Sequence, residues 1–265
     1  MDVKLVTYEV ADGVAIFTLN APPTNAYSYE MMRALDEAIL RARFDPEVHA
    51  IVVTGAGEKF FCAGANIEML SKADPTYKYY FCLHANETLN RLEHTPKLVI
   101  AALNGHTVGG GLEIAMACDL RIARKGAGKI GLPELNLGVL PGTGGTQRLS
   151  RLVGKAQAMR LMLEATNVNL EDGVELGLVH EAWEADSAKS FVEKVVEYAR
   201  RFTPPNRAAM AVGRIKRAVQ SGLEMSFEQA LALERELQAE LFASHDAKEG
   251  LLAFVEKRKP EFRGR

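Results

Sequence analysis

Apolar and polar residues alternate from Leu5 to Val10, break at Ala11-Asp12-Gly13, and alternate again from Val14 to Leu19 with Val14, Ile16 and Thr18 on one face. That is the pattern of a β-hairpin, and Asn20 to Thr24, with two prolines, ends it. Ser28 then stands where an N-cap belongs, and Met31, Met32, Leu35, Ala38, Ile39 and Ala42 recur at helical spacing until Asp45-Pro46 stops them. A strand follows at Ala50 to Thr54, then a helix around Tyr77 to Leu92, a strand at Leu98 to Leu103, a helix from about Gly110 to Cys118, and a strand at Leu120 to Arg124. Strands alternating with helices predict an α/β layout.

From Thr146 the pattern changes. Leu149, Leu152, Val153, Ala156, Met159, Met162 and Leu163 predict successive helices, with one short strand near Leu178 to Trp183. Beyond Pro204-Pro205, three segments carry a 3.6-residue period: Arg207 to Gln220, Ser226 to Phe242 and Ser244 to Lys257. Ser226-Phe227-Glu228-Gln229 has the form of a capping box. The boundary between the α/β part and this helical tail falls near Phe202, which divides the chain into 1–202 and 203–265.

Composition narrows the function classes. The chain has 265 residues, 48% hydrophobic and 25% charged, with 32 Lys and Arg against 34 Asp and Glu and a formal net charge of -2. Disorder and collagen are excluded, and no whole-molecule field exists to draw a nucleic acid or an anionic membrane surface. The most apolar stretch, Leu98 to Cys118, contains Asn104, His106, Glu113 and four glycines, so it reads as a core segment and not a bilayer span. MDVKLVTYEV lacks the charged and apolar regions of a signal peptide. Cys62, Cys82 and Cys118 are odd in number and lack CxxC spacing, as expected of buried thiols in a reducing compartment, the cytoplasm.

Three glycine-containing segments sit between strands and helices: FCAGANIEML at 61–70, NGHTVGGGLEIAMACD at 104–119 and GLPELNLGVLPGTGGTQR at 131–148. Glycines let a backbone approach a ligand, and helix N-termini offer unpaired N–H groups. Neither GxGxxG nor GxxxxGK[ST] spacing is present, which argues against a nucleotide-phosphate loop. Glu113 falls one turn after the triple glycine, on the same face as Gly110. As a first-turn acid it would gain about 0.3–1 kcal/mol from the helix dipole. Its neighbours Leu112, Ile114, Ala115 and Met116 leave little solvated face, and a buried carboxylate without a task is costly. Glu134, between Pro133 and Leu135, is placed similarly, and two carboxylates in such surroundings suit general acid and base work. His106 has no serine or cysteine partner and the six histidines have no metal-ligand spacing, so no metal site is expected. Cys62 reads as structural. Lys257, Arg258 and Lys259 form a solvated helix end or a phosphate contact.

Through FCAGANIEM, IAALNGHTVGGGLEIAMACDLRIA, LPELNLGVLPGTGGTQRL and the terminal KEGLLAFVEKRKPEF, the sequence resembles the enoyl-CoA hydratase/isomerase (crotonase) family over nearly its whole length. The resemblance implies a crotonase-like spiral of ββα turns over 1–202, a C-terminal helical region at 203–265 used in a homotrimer or dimer of trimers, and an acyl-CoA thioester as substrate. It implies that Ala65 and Gly110 supply the two N–H groups of an oxyanion hole, each worth roughly 3–4 kcal/mol when preorganised. Glu113 and Glu134 would be the catalytic pair that adds water to a 2-enoyl-CoA, with no metal or redox cofactor, coenzyme A being part of the substrate. Ala26, Ala63, Asn66, Ile67, Gly109, Pro133 and Gly142 would join Ala65 and Gly110 in binding substrate, and Phe254 and Lys257 would meet coenzyme A held by a neighbouring subunit. Asn66 stands where Asp is common and Glu68 where Lys is common, and APPTNAY lacks the basic residue many relatives carry before NA. Pocket walls are expected from the Tyr77 to Leu92 helix and from Met159 to Met162. Isomerisation, 3-methylglutaconyl-CoA hydration, thioester hydrolysis, and a non-catalytic CoA- or RNA-binding role are the alternatives.

Overall fold

The computed structural model describes residues 4–265; the reading of residues 1–3 above lies outside them. Ten strands among the described residues form two sheets. In chain order they are β1 (Val6–Ala11), β2 (Val14–Leu19), β3 (Ala50–Gly55), β4 (Phe60–Cys62), β5 (Leu98–Leu103), β6 (His106–Val108), β7 (Leu120–Arg124), β8 (Lys129–Gly131), β9 (Val168–Asn169) and β10 (Glu181–Trp183). The six-stranded sheet runs β1-β2-β3-β5-β7-β10 and the four-stranded sheet β4-β6-β8-β9. The predicted hairpin is present as antiparallel β1 and β2, and β3, β5, β7 and β10 add in parallel.

This order makes the chain a spiral. Three times in succession a strand enters the large sheet and the next strand enters the small one, as β3 and β4, β5 and β6, then β7 and β8. A helix closes each turn: α1 (Tyr29–Phe44) precedes the first, α2 (Ile67–Ser71) and α3 (Pro75–Glu93) follow β4, α4 (Gly110–Met116) follows β6, and α5 (Gly145–Val153) follows β8. The remaining helices are α6 (Lys155–Glu164), α7 (Asp172–Glu175), α8 (Ala188–Arg200), α9 (Ala209–Gly222), α10 (Phe227–Phe242) and α11 (His245–Glu256). Spiral turns followed by helices agree with the expected class. The limits of several elements also match: α1 is capped by Ser28 and buries the six residues named from spacing, and α10 carries the Ser226–Gln229 capping box. The helix expected to reach Cys118 stops at Met116, and the strand expected from Leu178 begins at Glu181, because Leu178 and Val179 are buried in the preceding turn.

Strands β3 and β5 are buried along their whole length, which is why they read as unbroken apolar runs. One face packs with α1, α3, α4 and the small sheet around Phe17, Phe61, Leu89 and Leu103. The other, carrying Val14, Val52, Ile100 and Ile122, is covered by Phe191, Val195, Val196 and Ala199 of α8. Asn104, fully buried at the end of β5, ties one spiral turn to the one before it. Its Oδ1 accepts from the N–H of Gly55 at 3.0 Å, and its Nδ2 donates to the carbonyl of Gly57 at 2.9 Å. No helix among the described residues is long and apolar enough to cross a membrane.

Candidate active site

All three glycine-containing segments meet at one cavity of about 320 Å³, at the ends of β4, β6 and β8. Gly64, at φ 89°, leaves no room for a side chain: a Cβ would stand 2.9 Å from the nitrogen of Gly110. The first segment therefore lies directly against the second. Tyr27 braces the first segment, donating its N–H to the carbonyl of Gly64 at 2.9 Å and accepting the N–H of Asn66 at 2.9 Å. Between these two bonds the N–H of Ala65 has no backbone partner among the described residues, and neither does that of Gly110, the first residue of α4. Both residues line the cavity. Two unpaired donors on adjoining segments can hold one oxygen that gains negative charge.

Glu113 rises from the first turn of α4 and is 2% exposed. Burial of a carboxylate requires donors, and the segment 143–145 provides them. Its Oε1 accepts the N–H of Thr143 at 2.8 Å and the N–H of Gly145 at 2.6 Å, and its Oε2 accepts the Thr143 hydroxyl. Three acceptor positions of four are thereby used, and one on Oε2 remains for a water. Since the Thr143 proton goes to Glu113, its oxygen is free to accept from the Tyr27 hydroxyl at 3.3 Å. Burial and the nearby charge of Glu113 hold the Tyr27 phenol well above its ordinary value, so it remains a donor.

Glu134 begins a short 3-10 turn, Glu134–Leu137, and its carboxyl lies over Gly109, where a Cβ would stand 3.2 Å from Oε1. Gly109 has φ 57° and ψ -133°, a conformation that L side chains rarely adopt. Oε2 of Glu134 is buried without a hydrogen-bond partner among the described residues. Burial, reinforced by the charge of Glu113, raises this carboxyl to about 7, while its own N–H and Lys78 pull in the other direction. The site thus sets Glu113, held by three donors, opposite a carboxyl that keeps its proton to neutral pH.

Of the residues named from sequence, Ala63, Ala65, Ile67, Gly109, Gly110, Glu113, Pro133, Glu134 and Gly142 line this cavity together. Ala26, Asn66, Phe254 and Lys257 do not. Ala26 sits between buried Asn25 and Tyr27, Asn66 caps α2 by accepting from the N–H of Met69 at 2.9 Å, and Phe254 and Lys257 are exposed on and after α11. Met159 is half exposed and Met162 packs into the core, so the expected wall at Met159 to Met162 is replaced by Leu70, Leu137, Val139 and Leu140. From α3 the cavity receives Lys78 alone. Sequence reasoning missed Tyr27, Thr143 and Lys78. For Thr143 a signal existed, a hydroxyl inside the PGTGG run. His106 is bonded as a structural residue, its Nδ1 accepting the N–H of Lys129, and burial pushes the Cys62 thiol up to about 12.

A sequence model described as enoyl-CoA hydratase/isomerase matches residues 9–265. A short-chain-enoyl-CoA hydratase of Clostridium acetobutylicum is 39% identical over 98% of this chain and 98% of its own. A crotonyl-CoA hydratase of Syntrophomonas wolfei is 34% identical over 97% of both. Among solved structures, an enoyl-CoA hydratase from Geobacillus kaustophilus superposes with a TM-score of 0.95 at 44% identity, covering 100% of this chain and 98% of that one.

Proposed function

The chain belongs to the enoyl-CoA hydratase/isomerase family, and from that membership we infer that it is an enoyl-CoA hydratase, adding water across the 2,3 double bond of a 2-enoyl-CoA to give a 3-hydroxyacyl-CoA. The observation that carries the mechanism is the meeting of Glu113, Glu134 and the unpaired N–H groups of Ala65 and Gly110 on one cavity. The thioester oxygen is held by the two N–H groups. Water, held at the free lone pair of Glu113, forms its bond to Cβ while Glu113 takes its proton. The π pair moves to Cα and onto the thioester oxygen, where each donor stabilises the charge by roughly 3–4 kcal/mol. Glu134 then gives its proton to Cα, and the pair resets when the proton gained by Glu113 passes to Glu134 through water. Every proton and oxygen comes from water or the glutamates, so the reaction draws on no cofactor. Tyr27 and Thr143 aim the base: with the hydroxyl of Thr143 fixed between Tyr27 and Glu113, the carboxylate keeps one orientation.

Assembly as a homotrimer, or a dimer of trimers, is supported by the apolar residues that α9 to α11 leave exposed, among them Ile215, Val219, Phe227, Phe242 and Phe254. In that arrangement Phe254 and Lys257, remote from their own cavity, serve a neighbour's. Three free cysteines support action in the cytoplasm. The test is the conjugated enoyl-thioester absorbance of crotonyl-CoA, which falls as water adds. Loss of that absorbance on mixing with the protein is expected, and intact absorbance across a panel of enoyl-CoAs would refute the activity.

A further inference from the structure

An ammonium taken partly out of water needs an acceptor. Every other half-buried or buried lysine and arginine among the described residues donates to an oxygen: Arg43 and Lys97 to carbonyls, Arg121 to the carbonyl of Cys118, Arg124 to Glu58, and Arg148 to Glu93 are examples. Lys78 is the exception. It lies over the face of Phe81, whose centroid is 5.5 Å from Nζ, its charge acts on Glu134 without a hydrogen bond to it, and it lines the cavity that holds Glu113 and Glu134.

The position of this ammonium within the cavity indicates which part of the substrate it meets. Nζ is 4.0 Å from where a Cβ on Gly142 would stand. Gly142 leads directly into Thr143, which holds Glu113, the group that faces Cβ of the bound acyl chain. The thioester oxygen is fixed at Ala65 and Gly110, and the coenzyme departs from the thioester carbon on the side opposite Cα. Lys78 therefore faces the acyl chain beyond Cβ and not the phosphates of the coenzyme. An apolar acyl tail there would leave the ammonium unpaired and strip away some of its water, whereas a carboxylate would form a charge-assisted hydrogen bond with it.

We infer that Lys78 is the subsite for a second anionic group, and that the enzyme hydrates 2-enoyl-CoA thioesters whose acyl chain ends in a carboxylate. This rests on the hydratase reading above. The probes are trans-glutaconyl-CoA and trans-2-pentenoyl-CoA, which match in chain length and differ by a terminal carboxylate in place of a methyl. The wild-type protein should hydrate glutaconyl-CoA with kcat/KM at least equal to that for pentenoyl-CoA. Lys78→Met and Lys78→Gln should each lower the ratio of the two by about tenfold or more, chiefly through KM for glutaconyl-CoA, and Lys78→Arg should retain most of it. Because both thioesters are read on one preparation, any loss of folded protein cancels in the ratio. An unchanged ratio in the Met and Gln variants, or a wild type that prefers pentenoyl-CoA, overturns the proposal. Hydration of pentenoyl-CoA with either result leaves the hydratase reading standing, and hydration of neither thioester overturns both.

Discussion

Thr143→Val removes the hydroxyl that Glu113 Oε2 accepts and keeps the shape of a side chain that is 2% exposed. The N–H of Thr143 and that of Gly145 still reach Oε1 at 2.8 and 2.6 Å, so the carboxylate stays in place but can turn about its own axis. A hydrogen bond to a charged group contributes about 1.5–3 kcal/mol, and each 1.4 kcal/mol is a factor of ten in rate. If that bond orients Glu113 in the transition state, kcat for crotonyl-CoA should fall by about ten- to a hundredfold. KM should change little, because the hydroxyl does not meet the thioester. Initial rates of absorbance loss over a range of crotonyl-CoA concentrations separate the two constants. Thr143→Ser restores the hydroxyl and should restore most of kcat, and Tyr27→Phe, which leaves the Thr143 oxygen without its 3.3 Å donor, should give a smaller loss. A Val variant within twofold of wild type in kcat, or one whose whole loss lies in KM, would show that the Thr143 hydroxyl does not orient Glu113.

In the proposed mechanism Glu134 acts in its protonated form, and it sits at about 7, so kcat/KM should fall as pH rises through about 7; a profile flat across that value contradicts the assignment. The folded carboxyl binds its proton more tightly than the unfolded one, whose ordinary value is 4.5, so native stability declines as pH rises from 4.5 to about 7. Glu134→Gln escapes that decline, and its Tm relative to wild type should rise over the same window, as thermal melts at several pH values will read. Gly110→Ala would place a Cβ within 2.5 Å of the Tyr27 ring. It should lose activity and about 1–3 kcal/mol of stability by denaturant titration, and a variant of wild-type activity would remove Gly110 from the oxyanion site. Phe191→Ala empties a fully buried position under α8 and should cost about 3–5 kcal/mol in urea unfolding while the folded fraction keeps its kcat.

Long elements with one strong period were legible in the sequence. The six buried residues of α1, the all-apolar β5 and the capping box of α10 follow from spacing alone. The small sheet was not, because β4, β6 and β8 have three residues each and β9 two, too short to show an alternation. The two glutamates could be picked out because a carboxylate amid leucines and glycines is conspicuous. Tyr27 could not, since its role depends on a backbone bridge to Ala65 and on a hydroxyl contact with Thr143, 116 positions along the chain. Lys78 lies on the polar-looking first turn of α3, where a lysine reads as solvated surface, and only the folding of α3 against the third glycine segment turns it toward the cavity. Asn66 and Glu68 show the converse: one caps α2 and the other pairs with Lys72 at 2.7 Å on the surface, so their departure from the family pattern is absorbed locally.

Addition of water to carbon at this site is read most directly by mass analysis of crotonyl-CoA turned over in water enriched in oxygen-18. A single product is expected, a 3-hydroxyacyl-CoA carrying one oxygen-18 at Cβ with the thioester intact, formed by the wild type and lost by orders of magnitude in Glu113→Gln and Glu134→Gln variants that remain folded. A product of unchanged mass with a shifted double bond, or free coenzyme A with the label in a released carboxylic acid, would contradict it.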